Sequence, residues 1–233
     1  MEALLRWQHP ERGLVGPGEF IAIAEESGAI LALGERVLEQ ACSAAADWCE
    51  RLGERPFRVS VNLSPRQVCE PGLAARVGAV LQRTGLAPGA LSLELTESAL
   101  MEETELVAQN LRDLKALGVG LVLDDFGTGY SSLAYLRRFP IDAIKIDRRF
   151  VAGLGVDTDD TTIVEAIVRM ASGLRLDVVA EGIETREQLL ILSAMGCPGG
   201  QGYLWSRPVA PDGVAPLLGL ATVSQCGGTE PRA

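Results

Sequence analysis

Six short apolar runs of this chain each contain, or end on, an oxygen-bearing side chain. They are EALLRW with Glu2, RVSVNL with Asn62, ALSLEL with Glu94, VGLVLD with Asp124, AIKID with Asp147 and DVVAE with Glu181. Strand side chains alternate between faces with period two. Ser60 and Asn62 therefore oppose Val59 and Val61, and Ser92 and Glu94 oppose Leu91, Leu93 and Leu95. Glu2, Leu4 and Arg6 share a face on the same reasoning, as do Ala143, Lys145 and Asp147. Buried carboxylates repel one another and are costly unless something positive joins them. Glu2, Glu94, Asp124, Asp125 and Glu181, with the neutral carbonyl of Asn62, form an all-oxygen donor set suited to Mg²⁺ or Mn²⁺. Five carboxylates exceed what one Mg²⁺ ordinarily takes from protein; two ions would balance the charge and serve in-line displacement at phosphorus. A helix cap or an arginine partner explains any one of these acids equally well. It does not explain the whole set.

Lysine usage adds to this. Of the 21 basic residues only Lys115 and Lys145 are lysines, so each is a candidate for a role that needs a compact ammonium or an adjustable pKa. Lys115 falls in the amphipathic pattern LVAQNLRDLKALG, where a solvated face is expected. Lys145 lies inside an apolar strand pattern and needs a reason. The segment DDFGTGYSSL follows one strand pattern and precedes a helix pattern, so it forms a turn or mobile loop beside Asp124 and Asp125. Glu97 in LTES is either a first-turn acid or an anchor for that loop. Arg6 either binds phosphate or neutralises an acid. His9, before Pro10, reads as a surface residue, and Trp7, Trp48 and Trp205 as core or pocket wall.

The elements that must position these groups alternate along 233 residues. Strand patterns cover 2–7, 58–63, 90–95, 119–124, 143–147, 177–181 and 201–205. Helix patterns cover 17–25, 30–52, 72–84, 102–117, 130–138, 160–173 and 185–195. Such alternation predicts parallel strands joined by crossover helices. The size suits a (β/α)8 barrel better than an open doubly wound sheet, and no GxGxxG follows the first strand. Parallel strands of a barrel bring their polar residues together at the carboxyl end. Nothing upstream of residue 2 supplies an eighth strand here, so either seven strands suffice or the opening element is absent. One domain is expected over 1–221, with a polar tail over 222–233.

Composition excludes several classes. The net charge is −10, against binding of a nucleic-acid polymer or an anionic membrane. No apolar run approaches a membrane span, and no basic segment opens a signal peptide. A single histidine rules out a multi-histidine metal centre. Cys42, Cys49, Cys69, Cys197 and Cys226 are odd in number and lack a CxxC pair, which reads as reduced, mostly buried thiols of a cytoplasmic protein.

Read together, EAL at residues 2–4, GEFIAIAEESG, VNLSPRQ, LELTES, DDFGTGYSSL, IKIDRRFV, VVAEGIET and QGYLWSRP resemble the EAL-domain phosphodiesterases, which hydrolyse the bacterial second messenger cyclic di-GMP. The likeness runs in family order from residue 2 to about 208. It implies an α/β fold, a TIM-like (β/α)8 barrel of the EAL type that here lacks its first, antiparallel strand and helix. It also implies Glu2, Asn62, Glu94, Asp124 and Asp125 as metal ligands. The family usually has proline where this chain has Ala22, a helix-start change expected to be mild. Glu181 is then an acid of the same centre, Lys145 the group that positions or deprotonates the attacking water, and Glu97 the anchor of the glycine loop, these three forming the catalytic group. Leu4, Arg6, Asp147 and Gln201 are implied as substrate contacts, two Mg²⁺ or Mn²⁺ ions as cofactors, linear pGpG as product, and a homodimer through the DDFGTGYSSL region. Two other expectations stand beside this one: a receptor that binds cyclic di-GMP without hydrolysing it, and a Schiff-base barrel enzyme using Lys145, which the surrounding acids disfavour.

Overall fold

The computed structural model describes residues 1–101, 104–127 and 133–220, with the side chains of 133–135 excepted. Its strands are β1 (Glu2–Ala3), β2 (Trp7–His9), β3 (Gly13–Val15), β4 (Val59–Leu63), β5 (Leu91–Thr96), β6 (Gly120–Phe126), β7 (Ala143–Ile146), β8 (Asp177–Ala180) and β9 (Gly199–Gly200). Its helices are α1 (Ile21–Ser27), α2 (Ile30–Leu52), α3 (Pro65–Val68), α4 (Leu73–Thr84), α5 (Glu97–Met101), α6 (Glu105–Leu117), α7 (Leu133–Arg138), α8 (Arg148–Ala152), α9 (Thr158–Leu174), α10 (Arg186–Ala194) and α11 (Val214–Leu217). The expected tail 222–233, Cys226, and most of the glycine-rich loop with the dimer contact expected there lie outside the described residues.

Seven strands form one sheet in the order β1-β4-β5-β6-β7-β8-β9, each pair parallel. The expected seven-stranded parallel barrel wall is therefore present. Leu91, Leu93, Leu95, Leu121, Ile144 and Ile146 are fully buried and belong to the continuous core between sheet and helices. The alternate residues, among them Ser92, Glu94 and Lys145, are buried on the other side. The wall curls. Gln201, directly after β9, donates from Nε2 to Glu2 Oε2 on β1 at 2.8 Å, so the two edge strands meet at their carboxyl ends.

Helix boundaries follow local chemistry. Asp157 and Thr185 accept backbone N–H groups at the starts of α9 and α10, and left-handed Gly85 and Gly118 stop α4 and α6. The expected helix 102–117 is α6 alone, because Thr104 caps it by accepting from Val107 N, while α5 is a separate turn after β5. The expected helix 17–25 divides into a 3₁₀ turn over Pro17–Glu19 and α1.

Two expected strands differ from those observed. Residues 2–7 do not form one strand. Trp7 instead pairs antiparallel with Val15 in a hairpin closed through Gly13, whose φ of 69° suits the turn. Period-two alternation therefore does not reach Leu4 or Arg6, and the shared face with Glu2 is not one of strand geometry. At the other end, β9 is Gly199–Gly200; Gln201 N still donates to Ala180 O at 2.8 Å, and residues 202–205 leave the sheet in a turn. The turn is a clamp on Ile183. Its N–H donates to Gln201 O at 3.0 Å, and its carbonyl accepts from Leu204 N at 2.9 Å. Gly202 lies so close over Ile183 that a Cβ there would stand 2.1 Å from Ile183 O.

The tryptophans follow from this layout. Trp48 packs against the core beside Phe57, whereas Trp7 and Trp205 are about half exposed. His9 ends β2, and its Nδ1 accepts from the N–H groups of Glu11 and Arg12 in the turn that follows. Of the four described cysteines Cys42 alone is buried. Gly202→Ala forces the 201–205 turn off Ile183 and is expected to lower stability by about 1–3 kcal/mol, read as a reduced midpoint in denaturant unfolding. An unchanged midpoint would contradict this packing.

Candidate metal centre

Four strands deliver acids to one ammonium on a fifth. Lys145 Nζ stands 2.5 Å from Glu181 Oε1, 2.8 Å from Glu94 Oε2, 3.2 Å from Glu2 Oε2 and 3.5 Å from Asp124 Oδ1. These residues come from β7, the segment after β8, β5, β1 and β6. Glu94 and Lys145 are each 2% exposed. Gln201 Nε2 donates to both Glu2 and Glu181, and Asn62 Nδ2 donates to Glu2 Oε1 at 2.9 Å. The convergence expected from six apolar runs is thus a property of the folded chain.

Alternation alone would send Asp124 and Asp125 to opposite faces. A bulge changes that. Leu123 pairs with Ile144 and Phe126 with Ile146, so β6 advances three residues while β7 advances two. Asp125, in the extra position, has φ 54°, a left-handed conformation that aspartate tolerates better than most residues. Single carboxylate oxygens of Asp124, Asp125 and Glu181 consequently lie within 4.8 Å of one another. Glu181 therefore groups with the aspartates as a donor. Glu97 sits at the start of α5, and its Oε1 accepts Gly127 N at 2.9 Å, which ties down the chain as it leaves β6.

Five carboxylates share this rim with one ammonium, and Glu2, Glu94, Asp125, Glu181 and Lys145 titrate away from their ordinary ranges. Burial pushes Glu94 up to about 7, with Glu2 and Asp124 adding repulsion and Lys145 opposing them. Burial likewise pushes Glu181 up to about 7, again against the pull of Lys145. Asp125 is pushed up to about 6 by burial, by Asp124 and by its hydrogen bond to Asp147. Burial also raises Glu2, yet Lys145 and the donors Gln201 and Asn62 outweigh it and hold that carboxyl below its ordinary range. Burial disfavours the Lys145 charge, but Glu94, Glu2, Glu181 and Asp124 overcome it and raise its pKa. Lys145 is an ammonium in this arrangement.

The donor set fits a hard divalent cation. Every candidate donor is oxygen, three acids already share a small volume, and mutual repulsion leaves negative charge to be neutralised. The remaining expected residues lie at the same rim in different ways. Asp147 caps α8, and its Oδ1 accepts from Arg149 N at 2.7 Å and Arg149 Nε at 3.1 Å. Arg149 had no signal in spacing or composition; only the cap geometry reveals it. Leu4 is 42% exposed, and Arg6 is exposed with Nη1 donating to Leu5 O. Neither makes a described contact with the acid cluster.

The chain belongs to the EAL domain family, whose model matches residues 1–208. An uncharacterized signaling protein of Caulobacter vibrioides is 49% identical over 211 residues, covering 91% of this chain and 26% of that protein. The bifunctional diguanylate cyclase/cyclic di-GMP phosphodiesterase MucR of Pseudomonas aeruginosa is 46% identical over 209 residues, covering 90% of this chain and 30% of MucR. The solved structure of the PaMucR phosphodiesterase in complex with c-di-GMP superposes with a TM-score of 0.86 at 45% identity, covering 91% of this chain and 86% of that one. The chain therefore spans under a third of the length of these two curated relatives. Among the described residues no helix is long and apolar enough to cross a membrane.

A carboxyl whose pKa is raised by folding keeps a proton that the unfolded chain has already lost. Between the ordinary 4.5 and about 7, Glu94 and Glu181 are in that state, so stability of the metal-free protein falls as pH rises through this window. A divalent cation must displace those protons. Mn²⁺ binding is therefore expected to strengthen from about pH 5.5 to about pH 8 with proton release, as measured by calorimetry in buffers of different ionisation enthalpy. Affinity independent of pH would contradict the titration described here.

Proposed function

We propose that this chain hydrolyses cyclic di-GMP to linear pGpG with two divalent cations, Mg²⁺ or Mn²⁺, held by Glu2, Asn62, Glu94, Asp124, Asp125 and Glu181. One observation carries the reading: four carboxylates from separate strands surround the Lys145 ammonium at 2.5–3.5 Å. Such a concentration of buried acid is costly without added positive charge. Five carboxylates against one ammonium leave four negative charges when all are ionised, which is the charge of two divalent ions. Bound there, the cations supply Lewis acidity toward phosphoryl oxygens and a more acidic water. The name of MucR, and the cyclic di-GMP in the PaMucR complex, support the choice of substrate.

The chain's own residues have separable tasks. Lys145 holds its proton at Nζ and binds Glu94, Glu2, Glu181 and Asp124 into one arrangement, so in this state it orients and neutralises and does not accept a proton. Deprotonation of an attacking water by Lys145 requires that those four carboxylates be engaged elsewhere. Gln201 fixes Glu2 against Glu181. Glu97 is a positioning residue, acting on the chain after Asp124 and Asp125 through Gly127. Leu4 and Arg6 follow the carboxyl end of β1 and are free to meet substrate, while Asp147 orients Asp125. With cations bound, the negative charge of this rim would be neutralised, which would let the two bridging phosphates of cyclic di-GMP approach it.

The test is incubation of the purified protein with cyclic di-GMP and Mn²⁺ or Mg²⁺, with an EDTA control and chromatography of the product. Linear pGpG is expected with metal and none with EDTA. Glu94→Gln is expected to cut turnover by at least about 100-fold while leaving the circular dichroism spectrum unchanged. Binding of cyclic di-GMP without product in either metal would replace the enzyme reading with that of a receptor.

A further inference from the structure

The second lysine is half-buried and ion-paired. Lys115, in the last turn of α6, places Nζ 2.8 Å from both carboxylate oxygens of Asp142 and 3.4 Å from Val119 O. Asp142 immediately precedes β7 at the amino end of the sheet, opposite the acid cluster. Its Oδ2 also accepts Leu121 N at 2.7 Å, its N–H donates to Leu121 O at 2.9 Å, and its carbonyl accepts Asp177 N at 2.9 Å. One residue thus joins β6, β7 and β8 where they begin, and Lys115 ties it to the helix that leads into β6.

We propose that Lys115 and Asp142 are a positioning pair, setting the register in which β7 enters the sheet and so the place of the Lys145 ammonium among the acids. β7 has four residues, all buried, and faces a bulge in β6. Backbone ladder bonds are the same whichever register forms, and a slip of one residue would turn Lys145 to the helix side. Apolar patterning resists that slip, since Ile144 and Ile146 belong to the helix-side core. A slip of two residues keeps every face, however, and would carry Lys145 along the strand away from the acids. The Asp142 side chain supplies a register-specific bond to Leu121 N just before the pairs Val122–Ala143 and Leu123–Ile144. Lys115 holds that carboxylate in place.

Lys115→Met and Asp142→Asn, compared with Lys115→Arg, test the pair. Both disruptive variants are expected to retain the wild-type circular dichroism spectrum and a KM for cyclic di-GMP within about twofold, with kcat reduced about tenfold. Mn²⁺ affinity, measured by calorimetry without substrate, is expected to weaken about fivefold, and Lys115→Arg to recover most of both losses. Folded variants with wild-type kcat and Mn²⁺ affinity, whatever their melting points, would overturn the proposal. If Lys115→Met fails to fold, Asp142→Asn, which preserves size but removes the charge by which Lys115 holds this side chain against Leu121 N, decides it by the same two readouts. The activity readout rests on the phosphodiesterase reading: no turnover by the wild type would sink that reading, while Mn²⁺ calorimetry would still judge the pair.

Discussion

A buried ammonium among buried carboxylates is the interaction on which the rest of this architecture depends. Lys145 and Glu94 are almost wholly removed from water, and neither charge would be tolerated there alone. Together with Glu2, Asp124 and Glu181 they form a network in which attraction to one lysine competes with repulsion among the acids. The balance is incomplete. Two of the acids are pushed up to about 7 while the lysine is held charged, so the network is poised to accept further positive charge. An arginine could neutralise the same acids, but its broad planar fork would occupy the space in which they converge. A lysine leaves that space open.

The barrel wall is organised to sustain this arrangement. Leucine and isoleucine side chains pack one face of β5, β6 and β7 against helices, which frees the other face for polar groups without opening the core. Parallel pairing sends every strand's carboxyl end to one rim. The bulge in β6 then brings two consecutive aspartates to that rim, and the Ile183 clamp seats Gln201 between Glu2 and Glu181. Glycine matters where backbone approaches backbone, as Gly202 does over Ile183. Lys115 and Asp142 perform a parallel service at the amino end, where an ion pair and backbone bonds join three strands.

Much of this was legible in the residues alone. The alternation of strand and helix patterns, the five central strands β4 to β8 and the bounds of α2 follow from periodicity and from glycine stops, because burial of one face is a local requirement written into successive residues. Lys145 was conspicuous as a charge in an apolar run, and the acids as carboxylates at the ends of others. Less was legible where two local tendencies competed. EALLRW reads as a strand, but the hairpin through Gly13 captures Trp7 and interrupts it. QGYLW reads as a strand, but Gly202 permits a turn over Ile183 instead. Lys115 reads as solvated because its partner Asp142 is 27 residues away.

The amino-acid order by itself determined the family, the parallel α/β architecture and the oxygen-rich chemistry of the site, since each depends on residue type and short-range spacing. Only the tertiary structure decided that one ammonium meets four carboxylates, that Asp124 and Asp125 serve the same side, and that Gln201 joins the two edges of the wall. Those facts depend on register, a bulge and curl. Register, bulge and curl are set by contacts between segments far apart in sequence, so no local pattern contains them.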